Sequence, residues 1–189
     1  MLNWSISLLW PQIDWLLCVI CHIKPLRADG SSIISIELRR YNGSYITLDD
    51  GSNIKAGDQI IELHMNSAWF KRRREDNLEA WQSPWKVLHC LAQDLNFLAK
   101  QIANGPFSKS IALHGCTLLH NGARRLGFQV QELPDSLWKK CARFYMAGLM
   151  RAYHLPTVRH LETFGRSPEL KEVWLSRETL LKAYLPRRP

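Results

Sequence analysis

The stretch from Arg40 to Asn66 constrains the fold of this chain more than any other part of the sequence. It contains three segments rich in β-branched and aromatic residues, which favour strands: Tyr41, residues 44–48 and residues 59–65. Asn42-Gly43 and Asp50-Gly51 separate these segments and are typical of turns with positive φ. Together with a further strand pattern at residues 33–40, the stretch predicts a small antiparallel meander.

The last strand of this stretch has one polar face and one apolar face, because strand side chains alternate. The polar face carries Asp58, Ile60, Glu62, His64 and Asn66, and the apolar face carries Ile61, Leu63 and Met65. A half-buried antiparallel strand usually exposes its polar face to water. The alternative interpretation is that Glu62, His64 and Asn66 line a cleft.

The most structured unit in the second half of the chain spans residues 110–131. Its pattern predicts a strand, a short helix that ends at Gly127 and a second strand, which together indicate a βαβ crossover with one parallel pair. The central turn contains His114, Cys116 and Thr117, and a ligand would bind there if the sheet has a crevice at its carboxyl edge. Thr117 could cap the helix, whose free N–H groups could hold an anion.

Four further helices are predicted from capping residues and apolar spacing, at residues 11–22, 83–103, 135–153 and 176–184. Ser83 is the expected N-cap of the second of these helices. We therefore predict the α+β class: a single domain whose mixed sheet, an antiparallel meander plus a βαβ-like unit, is covered by helices. This domain spans residues 33–189, and residues 1–32 form an N-terminal amphipathic helix and linker.

The composition is that of a globular protein with an excess of positive charge. With 46% hydrophobic and 22% charged residues the chain is not of the disordered class. A formal net charge of +8 favours anionic partners, such as nucleic acid, an acidic polysaccharide or an anionic membrane surface. The densest basic run consists of Lys71, Arg72, Arg73 and Arg74. Such a run is usually solvated, but it is also a candidate for contact with phosphate or an acidic glycan.

The N-terminal segment is apolar, yet it does not have the pattern of a signal peptide or a membrane span. It has no basic start and no small-residue cleavage site, and Asp14 would lie near the middle of a span. The expected helix has an apolar stripe formed by Ile13, Leu16, Leu17, Ile20 and Cys21. We expect it to pack on the domain, or else to lie on a membrane surface or a partner. The expected location is the cytoplasm, with the inner face of the membrane as the alternative.

Five cysteines without a dense framework indicate free thiols in a reducing compartment. Cys18 and Cys21, followed by His22, match the CxxCH sequence of c-type haem attachment. The match lies in an apolar, helix-like run, and the chain is partly composed of strands, unlike a small helical cytochrome. We interpret the two cysteines as buried structural residues rather than a haem, redox or metal site, and we expect no cofactor.

A resemblance to a known family is visible in residues 40–66. The spacing Arg-Tyr-x-Gly, followed by Leu-x-Asp-Gly-x-x-Ile-x-x-Gly-Asp-x-Ile-x-Glu-Leu-His-x-Asn, resembles the YkoP-like domain of bacteria. The resemblance continues through LHGCTLLHNGARRLGFQV and FYMAGLMRAYHL, and so covers most of the chain from about Ile33. Family members occur alone or behind a polysaccharide deacetylase domain, which implies a loose link to the cell envelope. The resemblance implies no catalytic residues.

No catalytic or cofactor motif names a reaction. GxSxG, GxGxxG and Walker sequences do not occur, which excludes the commonest hydrolase, dinucleotide and NTPase patterns. Four histidines lie near the ends of predicted elements: His64, His114, His120 and His154. Without HExxH or paired CxxC spacing, a zinc site would have to be assembled from distant residues, so no metal is expected. Cys116 could be a nucleophile if His64 or His114 activated it.

We predict a non-enzymatic accessory or ligand-binding domain linked to envelope polysaccharide. Its site would lie between the end of the strand at residues 59–65 and the turn at residues 114–117. One alternative is an enzyme that acts on a sugar or envelope lipid, with His64 or His114 as general base. The other is nucleic-acid binding through the basic residues, which is the least expected because no recognised reading motif accompanies them.

Overall fold

The computed structural model describes residues 3–75, 84–152 and 169–185. The predicted cap Ser83, the candidate His154 and the terminal residues 186–189 lie outside these ranges. The described chain contains six helices: α1 (Asn3–Ile20), α2 (Ser67–Glu75), α3 (Pro84–Asn104), α4 (His120–Arg125), α5 (Leu137–Ala152) and α6 (Arg177–Tyr184). It contains eight strands: β1 (Lys24–Pro25), β2 (Ile34–Arg40), β3 (Ile46–Thr47), β4 (Asn53–Ile54), β5 (Gln59–Met65), β6 (Ala112–Thr117), β7 (Gln129–Glu132) and β8 (Lys171–Ser176).

Six strands form one mixed sheet in the order β1-β2-β5-β6-β8-β7, and β3 and β4 form a separate two-stranded sheet. Among the described strands, β5 and β6 are the one parallel pair, and the other pairs are antiparallel. The segment that joins β5 to β6 contains α2 and α3, as a parallel crossover requires. The predicted α+β class with a mixed sheet is confirmed.

The pairing within the predicted meander differs from the simplest expectation. β2 pairs directly with β5, and the hairpin of β3 and β4 between them forms its own sheet. Backbone hydrogen bonds between Tyr41 and Asp58 (2.8 Å) and between Gly57 and Tyr41 (2.8 Å) close the base of this hairpin segment. Gly51 has the expected positive φ of 84°, whereas the second positive φ of this region belongs to Gly57 (95°) rather than Gly43.

The strand, helix and strand of the predicted βαβ unit are present, but the parallel pair predicted between the two strands is wrong, because they are not neighbours. β6 and β7 run in the same direction, and β8 lies between them, antiparallel to both. Val173, Trp174 and Leu175 of β8 are buried on both faces of the sheet. A strand that is apolar on both faces is stable only inside a sheet, which explains why β8 separates the two strands.

The two faces of β5 pack against different cores, as the predicted alternation requires. Ile61 belongs to the main core, in which the sheet packs on Leu95, Leu98 and Ile102 of α3. Those α3 residues are part of the predicted apolar repeat. Ile60 faces the other way, into a smaller core that includes Trp174 and residues of the β3–β4 hairpin. The hairpin therefore covers one end of the second face.

The N-terminal helix is longer than predicted, and its rotation about its own axis differs from the expected one. It begins at Asn3 instead of residue 11, and it packs on α5, where the Tyr145 hydroxyl donates a 2.6 Å hydrogen bond to Asp14. Ile13, Leu16 and Ile20 of the predicted apolar stripe are exposed and do not face the domain, whereas Leu17 and Cys21 line a cavity. Asp14 fixes the rotation of α1, and Cys18 lies on the same face one turn later. None of the described helices is both long and apolar enough to cross a membrane.

A buried carboxylate connects α3 to the start of β2. Asp94 is 2% exposed, and its Oδ2 accepts hydrogen bonds from the backbone N–H groups of Ile33 (2.8 Å) and Ile34 (3.1 Å). Its Oδ1 lies 3.2 Å from Nη2 of Arg27. Because these donors are buried beside the main core, no water can replace the carboxylate without a rearrangement.

We expect Asp94→Ala to lower the free energy of unfolding by about 3 kcal/mol, because it leaves two buried N–H groups and a guanidinium without their acceptor. Urea unfolding of the variant and of the parent protein measures this difference. The control is Asp135→Ala, since Asp135 is an exposed carboxylate whose partner Lys139 lies one turn away. An equal effect of the two substitutions would contradict this role of Asp94.

Candidate functional site

Polar side chains from four strands meet on the face of the sheet that also carries Ile60. In the register of the sheet Glu62 lies opposite Glu37 of β2 and His114 of β6, and His114 lies opposite Trp174 of β8. Residues opposite each other in neighbouring strands share a face. We call the resulting set the charged cluster: Glu37, Arg39, Glu62, His64, His114 and Glu172. Sequence reasoning placed Glu62, His64 and His114 in a common site, and the structure brings them together.

His114 lies at the centre of the charged cluster. Its Nε2 is 2.8 Å from Oε1 of Glu172, its Nδ1 is 3.9 Å from Oε2 of Glu62, and the ring packs on Trp174 with 4.2 Å between ring centroids. Burial opposes the charged form of the ring, but the neighbouring Cys116, Glu172 and Glu62 side chains outweigh it and raise the pKa of His114 to about 11. His114 is therefore an imidazolium at neutral pH.

Glu62 is the counterion that links His114 to β2. Arg39 donates a hydrogen bond to its carboxylate from Nη1. Burial raises the pKa of Glu62, but His114, Arg39 and His64 together outweigh that effect and lower it to about 2. The Glu62 side chain is only 15% exposed. The polar face of β5 is thus not simply solvated, and Glu62 is a buried, permanently ionised group.

His64 differs from His114 in its charge state and in its hydrogen bonds. Its Nε2 is 3.6 Å from Oε2 of Glu37, and this buried nitrogen makes no hydrogen bond within the described part of the chain. Burial lowers the pKa of His64 despite the nearby Glu62 and Glu37 carboxylates. His64 is therefore neutral at pH 7 and keeps one ring nitrogen available.

A cavity of about 1220 Å³ opens beside the charged cluster. It lies between the ends of β5 and β6 and the helices α1, α3, α4 and α5. Its walls are mostly apolar and include Leu63, Met65, Phe70, Leu88, Leu91 and Met146. Four of the six predicted site residues line it, namely Glu62, His64, Cys116 and Thr117. His114 is not among the residues that line the cavity, but its Nδ1 lies 3.9 Å from Oε2 of Glu62, which does line it.

Asn66 and Thr117 are used for local structure. Asn66 is buried, its Nδ2 donates to the Ser32 carbonyl (2.8 Å), and its Oδ1 accepts from the N–H of Trp69 in the first turn of α2 (3.3 Å). Asn66 is therefore the N-cap of α2. Thr117 accepts from the Leu119 N–H (2.9 Å), whereas the N-cap position of α4 is Leu119, without a side-chain cap. The predicted capping by Thr117 is wrong, because the turn before α4 is longer than expected.

The predicted anion-contact run forms part of α2. Lys71, Arg72 and Arg73 are exposed, and the side chain of Arg74 lies outside the described residues. Arg72 donates a hydrogen bond to the Gly30 carbonyl, and the Arg73 guanidinium lies 5.3 Å from the centre of the Trp69 ring. Two of these guanidinium groups therefore already contact the chain itself.

Several site residues were missed from the sequence. Glu37 and Arg39 alternate on β2 in the same way as Glu62 and His64 on β5, and this alternation was the available signal. Asp14 and Cys18 of α1 also line the cavity. Burial, followed by the charges of Asp14 and Cys21, raises the pKa of the Cys18 thiol to about 11. That thiol is protonated, in agreement with a structural role. Within the described residues no group of three or more histidine, cysteine, aspartate and glutamate side chains is arranged to hold a metal ion.

Comparison with known proteins matches the YkoP domain model to residues 4–184. The chain belongs to the YkoP domain family. This YkoP domain is 22% identical over 178 residues to a Bacillus subtilis (strain 168) protein described as "Uncharacterized protein YkoP", covering 93% of the chain and 94% of that relative. No solved structure matches it. The family match begins in α1, well before the motifs from Ile33 onward that carry the resemblance in the sequence.

His114 and His64 of this YkoP domain should contribute to the free energy of unfolding with opposite dependences on pH. His114 has a raised pKa, so its contribution is complete below pH 6.5 and is lost as the pH rises towards about 11, with a slope of at most about 1.4 kcal/mol per pH unit. We expect His114→Gln to remove this alkaline slope. His64 has a lowered pKa, so the protein loses stability as the pH falls below 6.5. We expect His64→Gln to remove this loss, which begins as the pH falls through about 6.5.

Urea unfolding at a series of pH values measures both slopes. Each variant is the control for the other, because both replace a ring on the same sheet face by an amide. Parent and His114→Gln proteins with the same slope between about pH 7 and 9 would show that His114 is not held in its protonated form.

Proposed function

We propose that this YkoP domain is a ligand-binding module that receives its ligand in the cavity beside the charged cluster. The observation that carries the proposal is the cavity itself, about 1220 Å³ in volume, with mostly apolar walls and a smaller number of polar groups. Small-molecule sites in proteins have this composition, in which apolar walls supply affinity and a few polar groups set orientation.

The hydrogen bonds of the polar side chains at the cavity indicate which of them could bind a ligand. Arg39 and His114 neutralise Glu62, and the Tyr145 hydroxyl bonds Asp14. His64 differs from these residues because its buried Nε2 is without a hydrogen-bond partner among the described residues. A buried nitrogen of this kind gains a hydrogen bond when a ligand supplies a hydroxyl or amine group. His64 is therefore the proposed anchor for the polar part of the ligand.

The apolar walls favour an amphiphile as the ligand. A long hydrocarbon part would contact side chains such as Leu88, Leu91 and Met146, and its head group would reach His64. The resemblance to YkoP-like domains implies an envelope polysaccharide, but a purely polar glycan would leave these walls without a complementary surface. An envelope saccharide that carries a lipid satisfies both requirements. We therefore propose an amphiphilic envelope component as the ligand class and an accessory binding role for the domain.

A thermal-shift titration with a single-chain alcohol or glycolipid tests this proposal. A ligand present at about one hundred times its dissociation constant adds roughly 2.7 kcal/mol, which raises the melting temperature of a chain of this size by about 5–10 °C. We expect Leu88→Trp to reduce the shift, because the larger ring projects into the cavity and takes space from the ligand. Leu38→Trp is the matched control, since Leu38 is exposed on β2.

An equal shift in the Leu88→Trp variant would contradict binding in this cavity. A shift with lipid-free oligosaccharides alone would contradict the amphiphile and leave the polysaccharide as ligand.

A second candidate function is supported by the state of His64. An enzyme that acts on a sugar or envelope lipid needs a general base, and only a neutral imidazole can accept a proton. His114 is already protonated, so it cannot serve as that base, whereas His64 is neutral and lines the cavity. For an enzyme, we expect His64→Gln to abolish turnover of a glycolipid while binding persists. Binding without turnover by the parent protein favours the accessory role.

A further inference from the structure

Over residues 12–20, whose side chains the structure describes, the helix α1 presents most of its apolar side chains to solvent. Over residues 12–20 the exposed large side chains are Ile13, Trp15, Leu16, Leu17, Val19 and Ile20, with Trp15 67% and Ile20 63% exposed. We call Ile13, Trp15, Leu16 and Ile20 the outer face of α1. A soluble amphipathic helix normally buries these residue types and exposes its charges. In α1 the arrangement is reversed.

The contact of α1 with α5 explains this orientation. Asp14 is the one charged residue in the sequence of α1, and its carboxylate accepts the hydrogen bond of the Tyr145 hydroxyl. Asp14, Leu17 and Cys18 line the cavity, so this side of the helix faces inward. Turning the apolar stripe towards the domain would break this bond and expose Asp14 instead. The rotation set by the bond between Asp14 and Tyr145 therefore leaves the outer face exposed.

We propose that the outer face of α1 docks on an anionic membrane surface. Ile13, Leu16 and Ile20 recur at the spacing of one helix face, so they can enter the boundary between head groups and acyl chains together. Trp15 is exposed on the adjoining side of the helix, about 100° around from Leu16 with Val19 between them, and its indole is suited to the head-group level. The helix lies in the plane of the interface, in agreement with the finding that no described helix can cross a membrane.

Charge favours an anionic lipid surface over a second copy of the chain. Lys24 follows α1 closely, and Lys140 and Arg143 are exposed on α5, the helix that packs on α1. The whole chain carries a formal net charge of +8. Two copies that met through α1 would bring these positive charges together, whereas an anionic membrane would attract them.

Docking through α1 is independent of what the cavity binds, although α1 is also one wall of the cavity. A surface-bound α1 would place that wall next to the bilayer. An amphiphile drawn from the membrane would then have a short path into the cavity. Membrane docking could nevertheless occur without any ligand in the cavity, so vesicle binding and ligand binding can be measured separately.

Co-sedimentation of the full chain with vesicles tests the docking. We expect the protein to pellet with phosphatidylcholine vesicles that contain phosphatidylglycerol, and to pellet much less with phosphatidylcholine alone. The triple variant Ile13→Ser, Leu16→Ser and Ile20→Ser should bind at least about tenfold more weakly, because it removes the buried apolar area. The control, Leu38→Ser with Tyr45→Ser, removes exposed apolar side chains outside α1 and should bind as the parent does.

A second variant tests the docking in case the triple variant does not fold. Lys24→Glu with Lys140→Glu changes exposed charges only, and it should weaken binding to the anionic vesicles and reduce its dependence on salt. Leu88→Trp should keep vesicle binding in full, so a failure of the cavity proposal would not be mistaken for a failure of docking.

Three results would overturn the docking proposal. The first is a parent protein that stays in the supernatant with anionic vesicles. The second is a triple variant that folds and binds them as the parent does. The third is a parent dimer in light scattering that the triple variant converts to a monomer, without vesicle binding, since the outer face would then join two copies of the chain.

Discussion

The central constraint on this structure is the compensation of a buried positive charge at His114. The residue lies on β6, between β5 and β8, and burial opposes its protonation. Glu62 and Glu172 on the two neighbouring strands supply the compensating negative charges. An uncompensated charge in this position would cost several kcal/mol. The register of three strands and the charge state of the sheet face are therefore coupled, because a slip of one residue would move these side chains to the opposite face.

The same compensation sets the chemistry of the cavity. Arg39 and His114 satisfy Glu62, so the carboxylate stays ionised and has little capacity left for a ligand. The Glu62 and Glu37 carboxylates favour the protonated form of His64, but burial has the larger effect on its pKa, and the ring remains neutral. One imidazole in the pair is thus a fixed structural cation, and the other is the group with hydrogen-bonding capacity to spare. Two histidines on one sheet face have different roles because their neighbours differ.

Much of the fold and part of the site follow from local sequence patterns. The period of two in β5 places Glu62 and His64 on one face, and the repeat of α3 places Leu95, Leu98 and Ile102 in the core. Four of the six predicted site residues line one cavity. The pattern did not show that the Asn66 side chain is fully used for structure, since its cap bond to Trp69 is local but its second hydrogen bond goes to Ser32, 34 residues away in the sequence. It also did not show that β8 separates β6 from β7, because strand order reflects burial over the whole sheet.

The sequence by itself determined the types of the elements, the two faces of β5 and the excess of positive charge, because these depend on residue identity and on spacings of two to four residues. The tertiary structure alone decided the protonation of His114, through a bond to Glu172, 58 residues away. It also decided the rotation of α1, through the bond between Asp14 and Tyr145, 131 residues apart. Burial and charge compensation arise between distant residues, so no local pattern contains them.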